Sequence, residues 1–191
     1  MGNNPGGVVF DGSNIWVANV VDNTVMKLRV SDGKILNTLA VLGGPGGMAF
    51  DGANVWVGSS SGGTVTKVRA SDATIVGSFP VCQPTQLAFD GANMWITSFS
   101  CATVAKLRAS DGANLGVFPT GGDLPTGIAF DGQHVWVANY GSDPLNASVV
   151  KLRPSDGLIQ GKVFIGQGAF GAAFDGANVW VTNTGTNIFK M

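Results

Sequence analysis

Short apolar runs alternate with Asp-Gly, Ser-Asp and Gly-rich turns along the whole chain, and no segment sustains a helical period. In the first stretch Gly7-Val8-Val9-Phe10 meets the turn Asp11-Gly12-Ser13-Asn14 and leaves along Ile15-Trp16-Val17-Ala18, the pattern of a tight hairpin. Beyond the loop Asn19 to Asn23, the runs Thr24 to Val30 and Lys34 to Val41 flank the turn Ser31-Asp32-Gly33. Four strands, A to D, therefore fill one unit.

That unit is written five times. Phe10, Phe50, Phe89, Phe130 and Phe174 each precede Asp-Gly, and Trp16, Trp56, Trp95, Trp136 and Trp180 follow at a constant interval of six residues. The Asp residues (11, 51, 90, 131 and 175) are spaced by 40, 39, 41 and 44. Four antiparallel strands per period of this length predict an all-β fold, a β-propeller of about five four-stranded blades in one domain, 1–191. The blades are expected near 5–41, 45–80, 84–120, 125–165 and 169–191. A two-residue A-B turn sets Val9, Ala49, Ala88, Ala129 and Ala173 opposite the five Trp rings, and the Trp and Phe columns are expected to form the inter-blade core. The fifth repeat lacks a fourth strand, so the chain is either a ring with a three-stranded last blade or part of a larger propeller.

Composition supports this architecture and narrows the partners. With 29 Gly and no Glu at all, the chain is rich in turns and strands. A net charge of −1 with no basic cluster argues against nucleic acid. No apolar run has the roughly 20 residues of a membrane span, and Met1-Gly2-Asn3-Asn4-Pro5 lacks the charged start and apolar core of a signal peptide.

The motifs Trp16-Val17-Ala18-Asn19, Trp136-Val137-Ala138-Asn139 and Trp180-Val181-Thr182-Asn183, with Thr-Val and Lys-Leu-Arg after them, resemble YVTN and NHL-type propeller repeats and the virginiamycin B lyase-like group. The resemblance spans nearly the whole chain. It implies the propeller; for activity it implies scaffolds, surface proteins and enzymes alike. Propeller lyases and lactonases of that build place metal ligands, Glu among them, around the channel mouth, and this chain has no Glu.

Nine of the 12 carboxylates belong to repeated turns, leaving Asp22, Asp123 and Asp143 in loops at one end of the ring. The Lys and Arg residues of strand C, Lys27 and Arg29 and their counterparts, are expected to point outward. His134 takes a turn position held by Asn elsewhere, beside Asp131, and reads as a turn variant. The channel-facing starts of strand A are Gly6-Gly7, Gly46-Gly47, Thr85-Gln86, Thr126-Gly127 and Phe170-Gly171, none of which ionises at neutral pH. No catalytic, metal or cofactor set is assigned. A candidate binding set gathers on the face bearing the B-C and D-A loops: Asn19, Ser59, Ser98, Asn139 and Asn183 end strand B, with Phe99, Tyr140, Asp22, Asp123 and Asp143 in adjacent loops. Amides and hydroxyls beside aromatic rings suit a protein, peptide or carbohydrate. Cys82 and Cys101 fall in adjacent loops on that face and are expected to form a disulfide, which favours an extracytoplasmic or cell-surface home. The expectation is a non-enzymatic binding or scaffold module. The alternatives are a lyase-like or lactonase-like enzyme and a structural array that self-associates through the open edge of its last blade.

Overall fold

The Phe-Asp-Gly turn organises the structure. In the computed structural model, which describes residues 2 to 191 apart from Pro144, Gln167 and Thr186, every copy of the turn closes the same way. The Asp N–H donates to the carbonyl three residues on at 3.0–3.1 Å. Glycine at the first central position has φ between +90° and +98°, a region that side chains with a Cβ avoid. One carboxylate oxygen accepts the N–H groups two and three residues on, as Asp11 does from Ser13 and Asn14. The other accepts the indole N–H of the Trp five residues on, at 2.6–2.7 Å in all five blades. The Asp thus closes the turn and aims the indole.

Blade 1 consists of β1 (Pro5–Phe10), β2 (Asn14–Asn19), β3 (Thr24–Arg29) and β4 (Ile35–Ala40). Blade 2 consists of β5 (Pro45–Phe50), β6 (Asn54–Ser59), β7 (Thr64–Arg69) and β8 (Thr74–Pro80). Blade 3 holds β9 (Pro84–Phe89), β10 (Asn93–Ser98), β11 (Thr103–Arg108) and β12 (Asn114–Pro119). Blade 4 holds β13 (Pro125–Phe130), β14 (Val135–Asn139), β15 (Ala147–Leu152) and β16 (Ile159–Gly166). Blade 5 has three strands, β17 (Ala169–Phe174), β18 (Val179–Asn183) and β19 (Ile188–Lys190). Each sheet is antiparallel in simple sequence order. The expected register is present, with Val9, Ala49, Ala88, Ala129 and Ala173 paired to the five Trp residues. Strand A of each blade lies against strand A of the next, from β1 to β17.

The seams between blades are directional. Trp16 packs among Val55 and Val68 of blade 2, Trp56 among Leu87 and Met94 of blade 3, and Trp95 among Ile128 and Val135 of blade 4. These three indoles are fully buried, whereas Trp180, against which no further blade packs among the described residues, is 38% exposed. The Phe column faces backward and contributes less than expected. Phe50, Phe89 and Phe130 are partly buried against the seam behind them, while Phe10, with no blade behind it among the described residues, is 53% exposed. Phe174, 38% exposed, is also open, in a blade whose described residues form three strands.

The strand-C cations divide. Arg29, Arg69, Arg108 and Arg153 point outward and pair with Asp32, Asp72, Asp111 and Asp156 three residues on. The lysines correct the expectation of an outward column. Lys27, Lys67 and Lys106 are buried, with Nζ 5.0–5.4 Å from the indole of the same blade. Each reaches across the seam to donate to a C-D turn carbonyl of the next blade: Ala70 and Ala109 at 2.6 Å, Pro154 at 2.7 Å. An ammonium loses its water here only because a carbonyl and a π-face replace it.

Candidate functional site

Where the strand-A starts converge on the axis they enclose a cavity of about 640 Å³, within the usual size range for small-ligand sites. Gly6-Gly7, Gly46-Gly47, Thr85-Gln86, Thr126-Gly127 and Phe170-Gly171 line it, as the sequence predicts for the channel, and Val20, Ser60 and Phe99 enter from the B-C loops. The lining side chains are ones that do not titrate. The hydroxyls of Thr85 and Thr126 are engaged, the first with Thr97 and the carbonyl of Pro125, the second with the carbonyls of Ala138 and Ala169. Gln86 is exposed, and among the described residues its carboxamide has no hydrogen-bond partner. Phe170 is 60% exposed and Phe99 partly so.

The candidate binding set fares differently from this cavity. Asn19, Ser59, Ser98 and Asn139 are buried, which removes them from any ligand on the loop face. Asn19 donates to Thr24 Oγ1 at 3.1 Å, and Asn139 lies within 3.4 Å of the Thr120 carbonyl and Ser148 Oγ. Their burial has a steric counterpart in the D-A loop. A Cβ on Gly2 would strike Asn19, and one on Gly122 would stand 2.8 Å from Asn139. Three residues before strand A, blades 1 and 4 carry glycine over an Asn, while blade 3 carries the buried Val81 where the strand-B residue is Ser98; Leu42 of blade 2 is exposed. That exchange of volume is the sequence signal that these polar residues are structural. Asn183, in the open last blade, is partly buried and accepts the Asn187 N–H at 3.2 Å.

The loop carboxylates tie loops together. Asp22 accepts the backbone and side-chain N–H groups of Asn3 at 2.8 and 2.9 Å, and these bonds hold its carboxyl below the usual range. Asp123 accepts the Ser142 hydroxyl at 2.9 Å. Asp143 accepts the Leu145 N–H at 2.8 Å and turns its own loop. Tyr140 stands beside Gly168, outside the cavity, and Cys82 and Cys101 form a disulfide with Cα atoms 6.4 Å apart. His134 keeps its turn role, with Nδ1 3.6 Å from Asp131. Of the expected set, only Phe99 reaches the cavity; Gln86 was legible there as a channel residue but did not stand out as a contact.

No family model matches this sequence, and neither does any curated protein. Solved structures match by shape. Hydrazine synthase of Kuenenia stuttgartiensis is 18% identical with a TM-score of 0.83, covering 94% of this chain and 55% of its own. A functionally unknown protein from Desulfotomaculum acetoxidans is 17% identical with a TM-score of 0.84, covering 100% of this chain and 67% of its own. A catalytically inactive virginiamycin B lyase from Staphylococcus aureus, solved with quinupristin, is 15% identical with a TM-score of 0.79, covering 100% and 70%. The fold is a β-propeller. At these identities the likeness carries the architecture alone, and the chain spans 55 to 70% of the length of these three neighbours.

Proposed function

We propose that this β-propeller is a non-enzymatic binding module that takes an uncharged ligand, a peptide or a carbohydrate, in its axial cavity rather than across its loop tips. One observation carries the reading: the cavity presents a free carboxamide at Gln86 and two accessible rings, Phe99 and Phe170, on a wall of neutral side chains and glycine backbone. Apolar walls with a few placed polar groups are the usual make-up of a ligand site. The lyase-like alternative calls for a base or metal ligands at this mouth, and the lining gives that alternative no support. The disulfide supports a place outside the cytoplasm or at the cell surface.

Gly46 supplies the test, because a Cβ there meets open space within the cavity. Wild-type protein and Gly46→Trp are compared on arrays of neutral oligosaccharides and of capped peptides. Binding to the wild type that Gly46→Trp abolishes, at an unchanged Tm, is the expected result. Binding that survives in Gly46→Trp, or no binding by the wild type, overturns the proposal.

A second reading, a structural array, draws on the uncovered faces at the two ends. Val8 and Phe10 are exposed on blade 1, and Trp180 and Ile188 on blade 5. Sedimentation of the wild type against Ile188→Lys would reveal self-association through the last blade.

A further inference from the structure

Blade 3 departs from the repeat at two positions that line the cavity, Gln86 and Phe99. The third residue of strand A is glycine in the other four blades: Gly7, Gly47, Gly127 and Gly171. A Cβ on Gly7 would strike the Gly46 carbonyl, one on Gly47 the Thr85 carbonyl, and one on Gly127 would lie 2.6 Å from the Phe170 carbonyl. Gln86 stands at this position in blade 3, and the packing of the repeat does not call for it.

The backbone of Gln86 is pinned by a threonine that blade 3 shares with the last blade. Opposite it in strand B, blades 1, 2 and 4 have Ala18, Gly58 and Ala138, where blade 3 has Thr97 and blade 5 has Thr182, whose hydroxyl accepts the Gly171 N–H at 3.0 Å. The Gln86 N–H donates to Thr97 Oγ1 at 3.0 Å, and the Thr97 hydroxyl lies 3.2 Å from the Gln86 carbonyl and 3.1 Å from that of Thr126. The ring beside it is braced as well. Phe99 donates its N–H to the Gln83 carbonyl at 3.1 Å, and the Cys82–Cys101 disulfide joins the same two loops.

A carboxamide offers one acceptor and two donors, the complement of a peptide group. A saccharide would bring many hydroxyls to a cavity whose threonines are already engaged, and each hydroxyl left unpaired costs binding free energy. We propose that blade 3 supplies the polar contact that reads the ligand: the Gln86 carboxamide pairs with a backbone amide of an uncharged, apolar peptide whose side chains lie against Phe99 of blade 3 and Phe170 of blade 5. This deepens the binding-module reading and rests on it. Gln86 is the specificity-determining contact, and Thr97 is a positioning residue.

The probes are N-acetyl tripeptide amides of leucine, valine and phenylalanine, with maltotriose and chitotriose as the saccharides. Calorimetry follows wild type, Gln86→Gly, Thr97→Ala and Thr97→Ser, and NMR follows the Gln86 side-chain amide. Gln86→Gly restores the residue of the other blades and is expected to keep its Tm while binding the peptides about tenfold more weakly, the loss of one or two neutral hydrogen bonds. Thr97→Ala is expected to weaken binding and Thr97→Ser to restore it, with the Gln86 amide resonance shifting on peptide addition to the wild type. Equal affinity of Gln86→Gly and wild type for the peptides overturns this inference and leaves the cavity reading standing. Saccharide binding without peptide binding overturns the peptide assignment alone. If neither class binds, both readings fall.

Discussion

Cys82 and Cys101 are bonded across the same 19-residue interval that joins Asn3 to Asp22 and Asp123 to Ser142. In blade 2 the interval is closed by a backbone bond, Gly62 N–H to the Gly43 carbonyl, 62 − 43 being again 19. Each is a clip from the D-A loop entering a blade to the B-C loop of that blade. The disulfide is the covalent form of a fastening the repeat makes elsewhere with polar groups.

Cleaving that clip has a calculable effect. Cys82→Ser with Cys101→Ser is expected to cost about 3 kcal/mol, from the chain entropy of a loop this short. Cys82→Asn with Cys101→Asp, which copies the pair in blade 1, is expected to recover part of the loss. Urea denaturation of the three proteins checks both outcomes.

The buried lysines are expected to matter in proportion to their acceptors. Lys67→Met removes the bond to the Ala109 carbonyl and the contact with Trp56, and is expected to destabilise by about 2 to 3 kcal/mol, as for a charge-assisted bond. Lys190→Met, at the same repeat position but with no such acceptor among the described residues, is expected to stay within about 0.5 kcal/mol of wild type. Equal effects in the two variants would refute the seam bond.

Acid should loosen the turns. Partial burial acts to raise the carboxyl pKa values of Asp51 and Asp90, but the indole, backbone and Asn donors outweigh it, so both end below the ordinary value. A pKa depressed in the folded state contributes stability that is present above the unfolded value of about 3.9 and lost as pH falls through the folded one. Tm is therefore expected to drop as pH falls below about 4. Asp51→Asn should lower Tm at pH 7 and flatten the acid dependence.

The exchange of volume between D-A loop and strand B predicts a rescue. Gly122→Val should push on Asn139 and cost about 1 to 3 kcal/mol, as overpacking does. Adding Asn139→Ser reproduces the Val81 and Ser98 pair of blade 3 and should return most of it. A double-mutant cycle on chemical denaturation measures the coupling.

The fold was legible because the Phe-Asp-Gly to Trp interval recurs, and because period-2 alternation fixes which residue faces which indole. What the repeat could not disclose lies between blades. Lys27 and Arg29 share a strand face, and composition treats them alike. One meets a carbonyl 43 residues away across a seam, while the other finds Asp32 in its own turn. The faithful use of Lys at the first position and Arg at the second is the signal, since a single carbonyl suits an ammonium and a carboxylate suits a guanidinium. Asn19 and Asn139 read as candidate ligand contacts because strand ends commonly carry function, and only the matching glycines at 2 and 122 mark them as filled space. Gln86 is visible in the sequence as an exception to a glycine position, but its carboxamide is left free by the packing of neighbouring blades, which the repeat does not encode.

Because every seam sets an indole face against the same reverse face, the molecule has a direction, like bricks with studs on one side and sockets on the other. A unit duplicated, deleted or moved to the opposite terminus by permutation would meet its neighbours with matching surfaces. Changes in repeat number are thus far better tolerated by this architecture than the loss of the single indole of Trp56.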